Sequence, residues 1–154
     1  MPDVRLEPMT EEQYRRYRER AEDGYAGQIA ESGSMAWDDA VEKAAEDYAR
    51  LLPQGLATPG QFLYAAYDGT AEVGLIWINL DGPRGFVYDV EVHPDHRRRG
   101  YGTAIMTAAE AIARDRGARS MNLNVFGPNL GARSLYEQLG YEVTSVQMRK
   151  RLAG

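Results

Sequence analysis

The densest basic run of the chain stands directly before a glycine-rich turn. Arg97–Arg99 precede Gly100–Thr103, at the point where strand-like alternation gives way to a helical period. The first turn of a helix has N–H groups without intrahelical partners and a partial positive charge, so an anion gains ~0.3–1 kcal/mol there. Glycines remove the side chains that would block its approach. This order of residues predicts a phosphate-binding turn.

Two common phosphate-binding motifs do not fit these residues. A Walker loop needs Gly-X4-Gly-Lys-Ser/Thr, which the sequence lacks, and a dinucleotide fingerprint needs a small residue where Ile105 stands. Two other interpretations stay open: Arg97–Arg99 form a solvated turn, or they contact nucleic acid. The net charge of −5 and the lack of an extended basic face argue against nucleic acid.

Carboxylates on the preceding strand are candidates for proton transfer. In "VYDVEVH", a period of two places Asp89, Glu91 and His93 on one face and Val90 and Val92 on the other. With the valines packed under the following helix, the acids face a cleft, where either could serve as a general base. The alternatives are that these acids cover a solvated sheet surface, or that they bind a cationic substrate without taking its proton.

These groups must be positioned by strands and helices, and the hydrophobic periods predict the order β, α, α, β, β, β, α, β, α, β. Thr10 caps the first helix, with Gln13 three residues later in a capping-box pattern. The strands 86–92 and 121–126 should be parallel neighbours joined by a right-handed crossover helix. A last strand is expected in "YEVTSVQMRKRL", 141–152. The fold class is therefore α/β with a mixed sheet.

Composition limits the class of protein and its partners. One domain over residues 1–154 is expected, because a chain of this length buries about 70% of its unfolded surface. The charged first residues and the lack of a long apolar run predict a cytoplasmic protein without membrane contact. The sequence has no cysteine and two histidines, so no metal site is expected. Net acidity predicts that nucleic acid is not a partner.

Two motifs together resemble the GNAT superfamily of acetyl-CoA-dependent N-acetyltransferases. Its pattern Arg/Gln-X-X-Gly-X-Gly/Ala is matched by Arg97, Gly100 and Gly102, and its pattern Asn-X-X-Ala-X-X-X-Tyr by Asn129–Tyr136. The resemblance covers about Phe62–Leu152. It implies a GNAT-like fold, in which a central, mostly antiparallel sheet contains a parallel, splayed pair of fourth and fifth strands and is accompanied by about four helices.

The resemblance also implies a coenzyme A site and a catalytic acid. In this family the pyrophosphate lies on the main-chain N–H groups of the glycine turn, and the pantetheine arm lies in the gap between the fourth and fifth strands. Tyr136 corresponds to the usual general acid, whereas Asn124 stands where some members carry a glutamate base. The implied cofactor-binding residues are Val90, Val92, Arg97, Arg98, Arg99, Gly100, Tyr101, Gly102, Thr103 and Asn129.

Acceptor-binding residues are expected around the same cleft. Asn122 and Asn124 share one face of "MNLNVF" and are predicted to line it. In the family, acceptor specificity comes from the first two helices, where Tyr25 and Trp37 lie among acidic residues. A cationic or aromatic amine would fit these residues, although acidic helix starts are also what the helix dipole favours. Fourteen residues follow Gly140, so the terminal hairpin common in the family is expected to be shortened.

The sequence therefore favours acetyl transfer from acetyl-CoA to a primary amine, either of a small molecule or of a protein or peptide, by direct attack in a ternary complex. The chain has no cysteine to carry an acetyl group on a thiol. Tyr136, Glu91 and Asp89 are the predicted catalytic residues. The alternative is a non-catalytic module that binds or senses acyl-CoA on the same fold. Homodimers are common in such families, and the sequence singles out no surface for one.

Overall fold

The computed structural model describes residues 2–33, 35–125 and 129–153. Its elements are β1 (Arg5–Pro8), α1 (Glu11–Glu31), α2 (Trp37–Leu51), β2 (Gln61–Asp68), β3 (Ala71–Leu80), β4 (Arg84–Val92), α3 (Tyr101–Asp115), β5 (Ser120–Leu123) and α4 (Leu130–Gln138), with 3-10 turns at Gly55–Ala57 and Pro94–His96. The chain divides into two units, Met1–Asn124 and Val125–Gly154, and the expected single domain stays a prediction. Within the described ranges, no helix combines the length and apolarity that a membrane span requires.

The five strands form one sheet in the order β1-β2-β3-β4-β5. The first four strands pair antiparallel, and β4 pairs parallel with β5. This parallel ladder runs from Arg84 opposite Ser120 to Val87 opposite Leu123, while β4 continues to Val92. The predicted mixed sheet, with its parallel pair of fourth and fifth strands, is confirmed. The main chain of residues 88–92 lies beyond the ladder, on the stretch where the two strands were expected to splay.

The start of α1 is fixed by the predicted capping box. Thr10 Oγ1 accepts from the Gln13 N–H at 3.1 Å, and Gln13 Oε1 accepts from the Thr10 N–H at 2.9 Å. Gln13 Nε2 also donates to the Tyr67 hydroxyl at 2.8 Å and to Glu72 Oε1 at 2.6 Å. The cap therefore ties the first turn of α1 to β2 and β3.

Helices cover both faces of the sheet. Side chains of α1 and α2 pack on one face in a cluster made of Met9, Tyr14, Tyr17, Tyr48, Leu52, Leu63, Ala65, Leu75 and Trp77. Gly74 precedes Leu75 and so faces the other side, where a Cβ would lie 2.8 Å from Ile105 Cδ1 of α3 and overlap the Glu91 carbonyl oxygen. The missing side chain at Gly74 lets α3 pack closely against β3 and β4.

β4 contains a β-bulge at Tyr88. Trp77 pairs with Asp89 and the next residue, Ile78, pairs with Val87, so Tyr88 is an extra residue opposite β3. Trp77 belongs to the cluster under α1 and α2, and Asp89 therefore points to the same helices. A bulge redirects side chains and interrupts pairing. In this strand it lies immediately after the last residue that pairs with β5.

The prediction of a last strand over 141–152 is wrong. Residues 141–153 contain no strand, and α4 is the one regular element among the described residues of the C-terminal unit. A strand needs a second strand to satisfy its N–H and C=O groups, and the described part of this unit has none. Val143, Val146, Met148 and Leu152 are accordingly exposed. β5 ends at Leu123, and the predicted end at Phe126 lies outside the described residues.

Candidate functional site

The glycine turn leaves the start of α3 without a side-chain cap. Gly100 is the N-cap residue, with φ of 83°, and no side chain of the described chain donates to or accepts from this cap. The first hydrogen bond of the helix is donated by the Ala104 N–H to the Gly100 carbonyl at 3.2 Å. The N–H groups of residues 101–103 precede it and have no acceptor within the helix. This is the arrangement that binds an anion at a helix start.

The three arginines of the turn differ in what they do. Arg97 Nε donates to the Val92 carbonyl at 3.1 Å, so this side chain closes the turn onto the end of β4. Arg98 has φ of 64°, a left-handed conformation that is unfavourable for a residue with a Cβ. Arg98 and Arg99 are exposed. Arg97 therefore has a structural contact, and the other two guanidinium groups remain on the surface of the turn.

Tyr101 is predicted to bind the cofactor, but its side chain points into the fold. It is 9% exposed, and its hydroxyl donates to Asp68 Oδ2 at 2.6 Å, which ties α3 to β2. Only the main-chain N–H of Tyr101 is left to contribute to the turn. Gly102 and Thr103 are half-buried next to it.

Asn129 and Tyr136 lie in the C-terminal unit. Asn129 is the N-cap of α4, and its Oδ1 accepts from the Ala132 N–H at 3.2 Å. Tyr136 lies on α4, with its ring edge-on to that of Tyr141 at 6.0 Å between centroids. Asn129 therefore caps α4. Its predicted contact with coenzyme A and the acid role of Tyr136 stay predictions.

Asp89 lies beneath α1, where it accepts a hydrogen bond from the Tyr17 hydroxyl at 2.7 Å on Oδ2. Burial raises the pKa of Asp89, the hydrogen bond from Tyr17 opposes that rise, and the neighbouring Glu91 adds to it. Burial and the charge of Asp89 hold the pKa of Tyr17 well above its usual value. The proton of this pair therefore stays on the Tyr17 hydroxyl.

Replacing Asp89 by Asn is expected to stabilise the folded protein at pH 7. The pKa of Asp89 is raised above its reference value of 3.8, so between these two values the folded state binds more protons than the unfolded state. Stability therefore falls as the pH rises through this window. Asn stays neutral, and its Oδ1 can still accept from Tyr17.

Denaturant unfolding is the measurement for this prediction. The Asp89→Asn variant should have the larger free energy of unfolding at pH 7, and the difference should shrink toward pH 3, where the wild-type carboxyl is protonated in both states. An identical pH dependence in the two proteins would show that the pKa of Asp89 is not raised.

Glu91 is the more accessible of the two acids. Its side chain is 28% exposed, and Arg20 Nη1 donates to its Oε1 at 2.9 Å. His93 Nδ1 lies 4.0 Å from the same oxygen, and His93 Nε2 lies 2.8 Å from Glu72 Oε2. Within the described residues, both contacts of Glu91 use Oε1. Its other carboxylate oxygen is therefore the one that can meet a substrate.

A cavity of about 340 Å³ lies between α1 and the sheet. It is lined by Met9, Gln13, Arg16, Tyr17, Arg20, Ala65, Glu72, Gly74, Leu75 and His93. Two of these residues contact the candidate bases directly, since Tyr17 binds Asp89 and Arg20 binds Glu91. Neither acid lines the cavity itself, and its volume is sufficient for water or a small ligand beside their partners Tyr17 and Arg20.

The two asparagines predicted to line the cleft have separate environments. Asn122 Nδ2 donates to the Gly85 carbonyl at 3.1 Å, which holds β5 against β4. Arg84 Nη2 lies 3.4 Å from Asn122 Oδ1. Asn124 is exposed and follows the end of β5. Asn122 therefore stabilises the parallel pair, and substrate contact by either residue stays a prediction.

The two aromatic residues predicted near the acceptor also differ. The Tyr25 hydroxyl donates to Asp47 Oδ2 at 3.1 Å and so connects α1 to α2. Trp37 is the first residue of α2 and is 51% exposed. Asp38 and Asp39 follow it in the first turn, where the helix dipole favours acids. Tyr25 thus has a structural role, and only Trp37 presents a free surface.

Sequence reasoning missed Tyr17 and Arg20, which contact the two candidate bases. Their spacing of three places them on one face of α1, and this is the signal that the sequence contains. The residues on one face of a helix do not indicate which strand of the sheet that face packs against. The hydrogen bonds to Asp89 and Glu91 join residues 72 and 71 positions apart, so only the packed fold reveals them.

Known proteins share both the sequence and the fold of this chain. A sequence model of the acetyltransferase (GNAT) family matches residues 9–141. The N-acetyltransferase YycN of Bacillus subtilis (strain 168), itself uncharacterized, is 32% identical over 154 residues, which are 97% of this chain and 99% of YycN. The crystal structure of YycN matches with a TM-score of 0.93 over 98% of this chain and 99% of that chain.

More distant relatives agree with these matches. The uncharacterized N-acetyltransferase YdgE of the same organism is 28% identical over 152 residues, 96% of this chain and 97% of YdgE. The PaiA N-acetyltransferase of Thermoplasma acidophilum, in complex with coenzyme A, matches with a TM-score of 0.70 at 17% identity, over 94% of this chain and 93% of that chain. That identity shows a shared fold alone. With a family model over most of its length and a full-length relative, this chain belongs to the acetyltransferase (GNAT) family of acyltransferases.

Proposed function

We propose that the protein transfers an acetyl group from acetyl-CoA to a primary amine of a small molecule or a peptide, by direct attack in a complex with both substrates. One observation carries the proposal: the uncapped start of α3 follows a stretch of β4, residues 88–92, that lies beyond the ladder with β5. The uncapped helix start can bind a diphosphate. Residues 88–92 of β4, which do not pair with β5, can pair with an extended, amide-containing arm. Coenzyme A has both parts, and the Thermoplasma protein of the same fold was crystallised with it.

The turn residues bind the diphosphate in this proposal. The N–H groups of residues 101–103 donate to its oxygens, and Arg98 and Arg99 add positive charge beside them. The main-chain groups of Val90 and Val92 pair with the pantetheine arm as a neighbouring strand would, and the Val92 carbonyl keeps its hydrogen bond from Arg97 on its second lone pair. Asn129 supplies a further polar contact, as the family resemblance implies.

In this proposal, Glu91 is the general base that removes the proton from the amine. An alkylammonium with a pKa near 10.4 is about 3.4 pH units from neutral at pH 7, a free-energy cost of roughly 4.6 kcal/mol. Glu91 takes this proton directly or through a water of the cavity that Arg20 and His93 line. We favour it over Asp89, because Asp89 lies beneath α1 in a hydrogen bond with Tyr17.

Acetyl transfer exchanges the C–S bond of the thioester for a C–N bond. The neutral amine nitrogen attacks the thioester carbonyl carbon, so a C–N bond forms and the C–S bond breaks. The sulfur leaves with its electron pair and receives the proton of the Tyr136 hydroxyl. After the attack the nitrogen loses a second proton, which returns to Tyr136 through solvent. The first proton, taken by Glu91, goes to solvent, so the reaction releases one proton overall. The absence of cysteine supports this route over an acetyl-thiol enzyme.

A thiol-release assay tests the proposal. The wild-type protein is mixed with acetyl-CoA and a panel of primary amines and lysine peptides, and free thiol and acetylated amine are both measured. We expect equal amounts of the two products, and thiol release only when an amine is present. Binding of coenzyme A without transfer to any amine would instead support the non-catalytic module.

A further inference from the structure

The β-bulge brings two aromatic side chains and an acid to one face of the sheet. Phe86 pairs with Asn79 and Asp89 pairs with Trp77, and these β3 residues are two apart and share a face. Phe86 and Asp89 are three apart, so without the extra residue they would point to opposite faces. Tyr88, the extra residue, stacks on Trp77 with 4.5 Å between ring centroids and 25° between planes.

Tyr88 remains accessible although its ring is stacked. It is 38% exposed, whereas Trp77 beneath it is 2% exposed. The Phe86 ring lies 4.8 Å from that of Tyr88, centroid to centroid. The aromatic surface therefore consists of the exposed Tyr88 ring and the adjacent Phe86 ring, supported from below by the buried Trp77. It spans the end of the ladder with β5, from Phe86, which pairs with Asn122, to Tyr88, the first residue beyond the ladder. The candidate bases follow on the same strand, Asp89 directly after Tyr88 and Glu91 two residues later.

This combination selects a class of amine. Aromatic faces attract both other aromatic rings and ammonium groups, and carboxylates attract the ammonium group alone. A ligand that satisfies both carries an aromatic ring a short distance from a primary ammonium. Of the two aromatic residues predicted near the acceptor, Tyr25 is bound to Asp47 and packs edge-on to Tyr48 at 6.1 Å between centroids, whereas Trp37 lies exposed at the start of α2.

We propose that Tyr88 and Phe86 form the contact surface for the aromatic ring of the acceptor, and that the preferred acceptors are arylalkylamines. This inference rests on the acetyl transfer proposed above. Tyr88 acts as a specificity-determining residue: it contacts the ring of the acceptor and takes no part in proton transfer. The Tyr88 hydroxyl is not required, since the contact is made by the face of the ring.

The test compares 2-phenylethylamine with n-butylamine, two primary amines that differ in the ring. Steady-state kinetics are measured for the wild type, Tyr88→Leu and Tyr88→Phe. Phe62→Leu is the control, because Phe62 pairs with Ile78 and faces the opposite side of the sheet. We expect Tyr88→Leu to raise KM for 2-phenylethylamine about 10-fold and to change n-butylamine kinetics less than about twofold. Tyr88→Phe and Phe62→Leu should match the wild type.

The outcomes separate this inference from the proposed function. One contrary outcome is that the wild type acetylates both amines with equal kcat/KM and that Tyr88→Leu changes neither value. This would overturn the proposed role of the aromatic surface and leave the acetyltransferase proposal intact. If the wild type acetylates neither amine, calorimetry with 2-phenylethylamine on the coenzyme A complex decides. Binding heat in the wild type that is lost in Tyr88→Leu supports the surface, and no heat in the wild type overturns it. Equal effects of Tyr88→Leu and Tyr88→Phe would also overturn it.

Discussion

Replacing Tyr136 by Phe is expected to lower kcat about 100-fold and to leave the affinity for coenzyme A unchanged. The substitution removes only the hydroxyl, which in the proposed mechanism gives its proton to the leaving sulfur. Without that proton, a thiolate must leave unassisted. The ring and its edge-on contact with Tyr141 are kept, so α4 should fold as in the wild type.

Two measurements make this prediction specific to the acid role. Calorimetry with coenzyme A reports binding, and thiol release at saturating substrates reports kcat. Tyr141→Phe is the matched control, because it removes a hydroxyl from the other ring of the same pair, and it should keep kcat within about twofold. A Tyr136→Phe protein with wild-type kcat would remove Tyr136 from the mechanism.

Replacing Glu91 by Gln should lower kcat/KM for an alkylamine about 100-fold at pH 7. Gln keeps the size of the side chain and can still accept from Arg20, but it cannot accept the proton of the ammonium. The loss should shrink as the pH rises toward the pKa of the amine near 10.4, since the fraction of neutral amine in solution then grows without help from the protein.

A pH series of kcat/KM between 7 and 9.5 checks this expectation. Glu72→Gln is the control, because Glu72 is a neighbouring carboxylate that binds His93 and Gln13 and has no role in the mechanism. Its kcat/KM should follow the wild-type curve. If Asp89→Asn loses as much activity as Glu91→Gln, or more, the base is Asp89 and our assignment of Glu91 is wrong.

Features encoded within a single turn of chain were predictable from the sequence. Thr10 and Gln13 cap α1 as predicted, Asn129 caps α4, and Gly100 is the N-cap of α3. Each depends on residues no more than four positions apart, so a tertiary context is not needed to recognise it. The parallel pairing of β4 with β5 was also predictable, because a helix between two strands implies a crossover.

Features set by pairing between distant segments were not predictable. The bulge at Tyr88 depends on the register of β4 against β3, and an alternating sequence is compatible with a regular strand as well. The hydrogen bond between Tyr17 and Asp89 depends on where α1 lies on the sheet. The prediction of a last strand was wrong for a related reason, because an alternating sequence does not form a strand unless a second strand pairs with it.

We infer that the main-chain N–H groups at the start of α3, beside Arg98 and Arg99, bind the diphosphate of coenzyme A. The most direct measurement is calorimetry on the wild-type protein with coenzyme A and, separately, with pantetheine, which lacks the diphosphate. We predict clear binding heat with coenzyme A and an affinity for pantetheine at least about 10-fold weaker. Equal affinity for the two ligands, or no heat with coenzyme A, would contradict the claim.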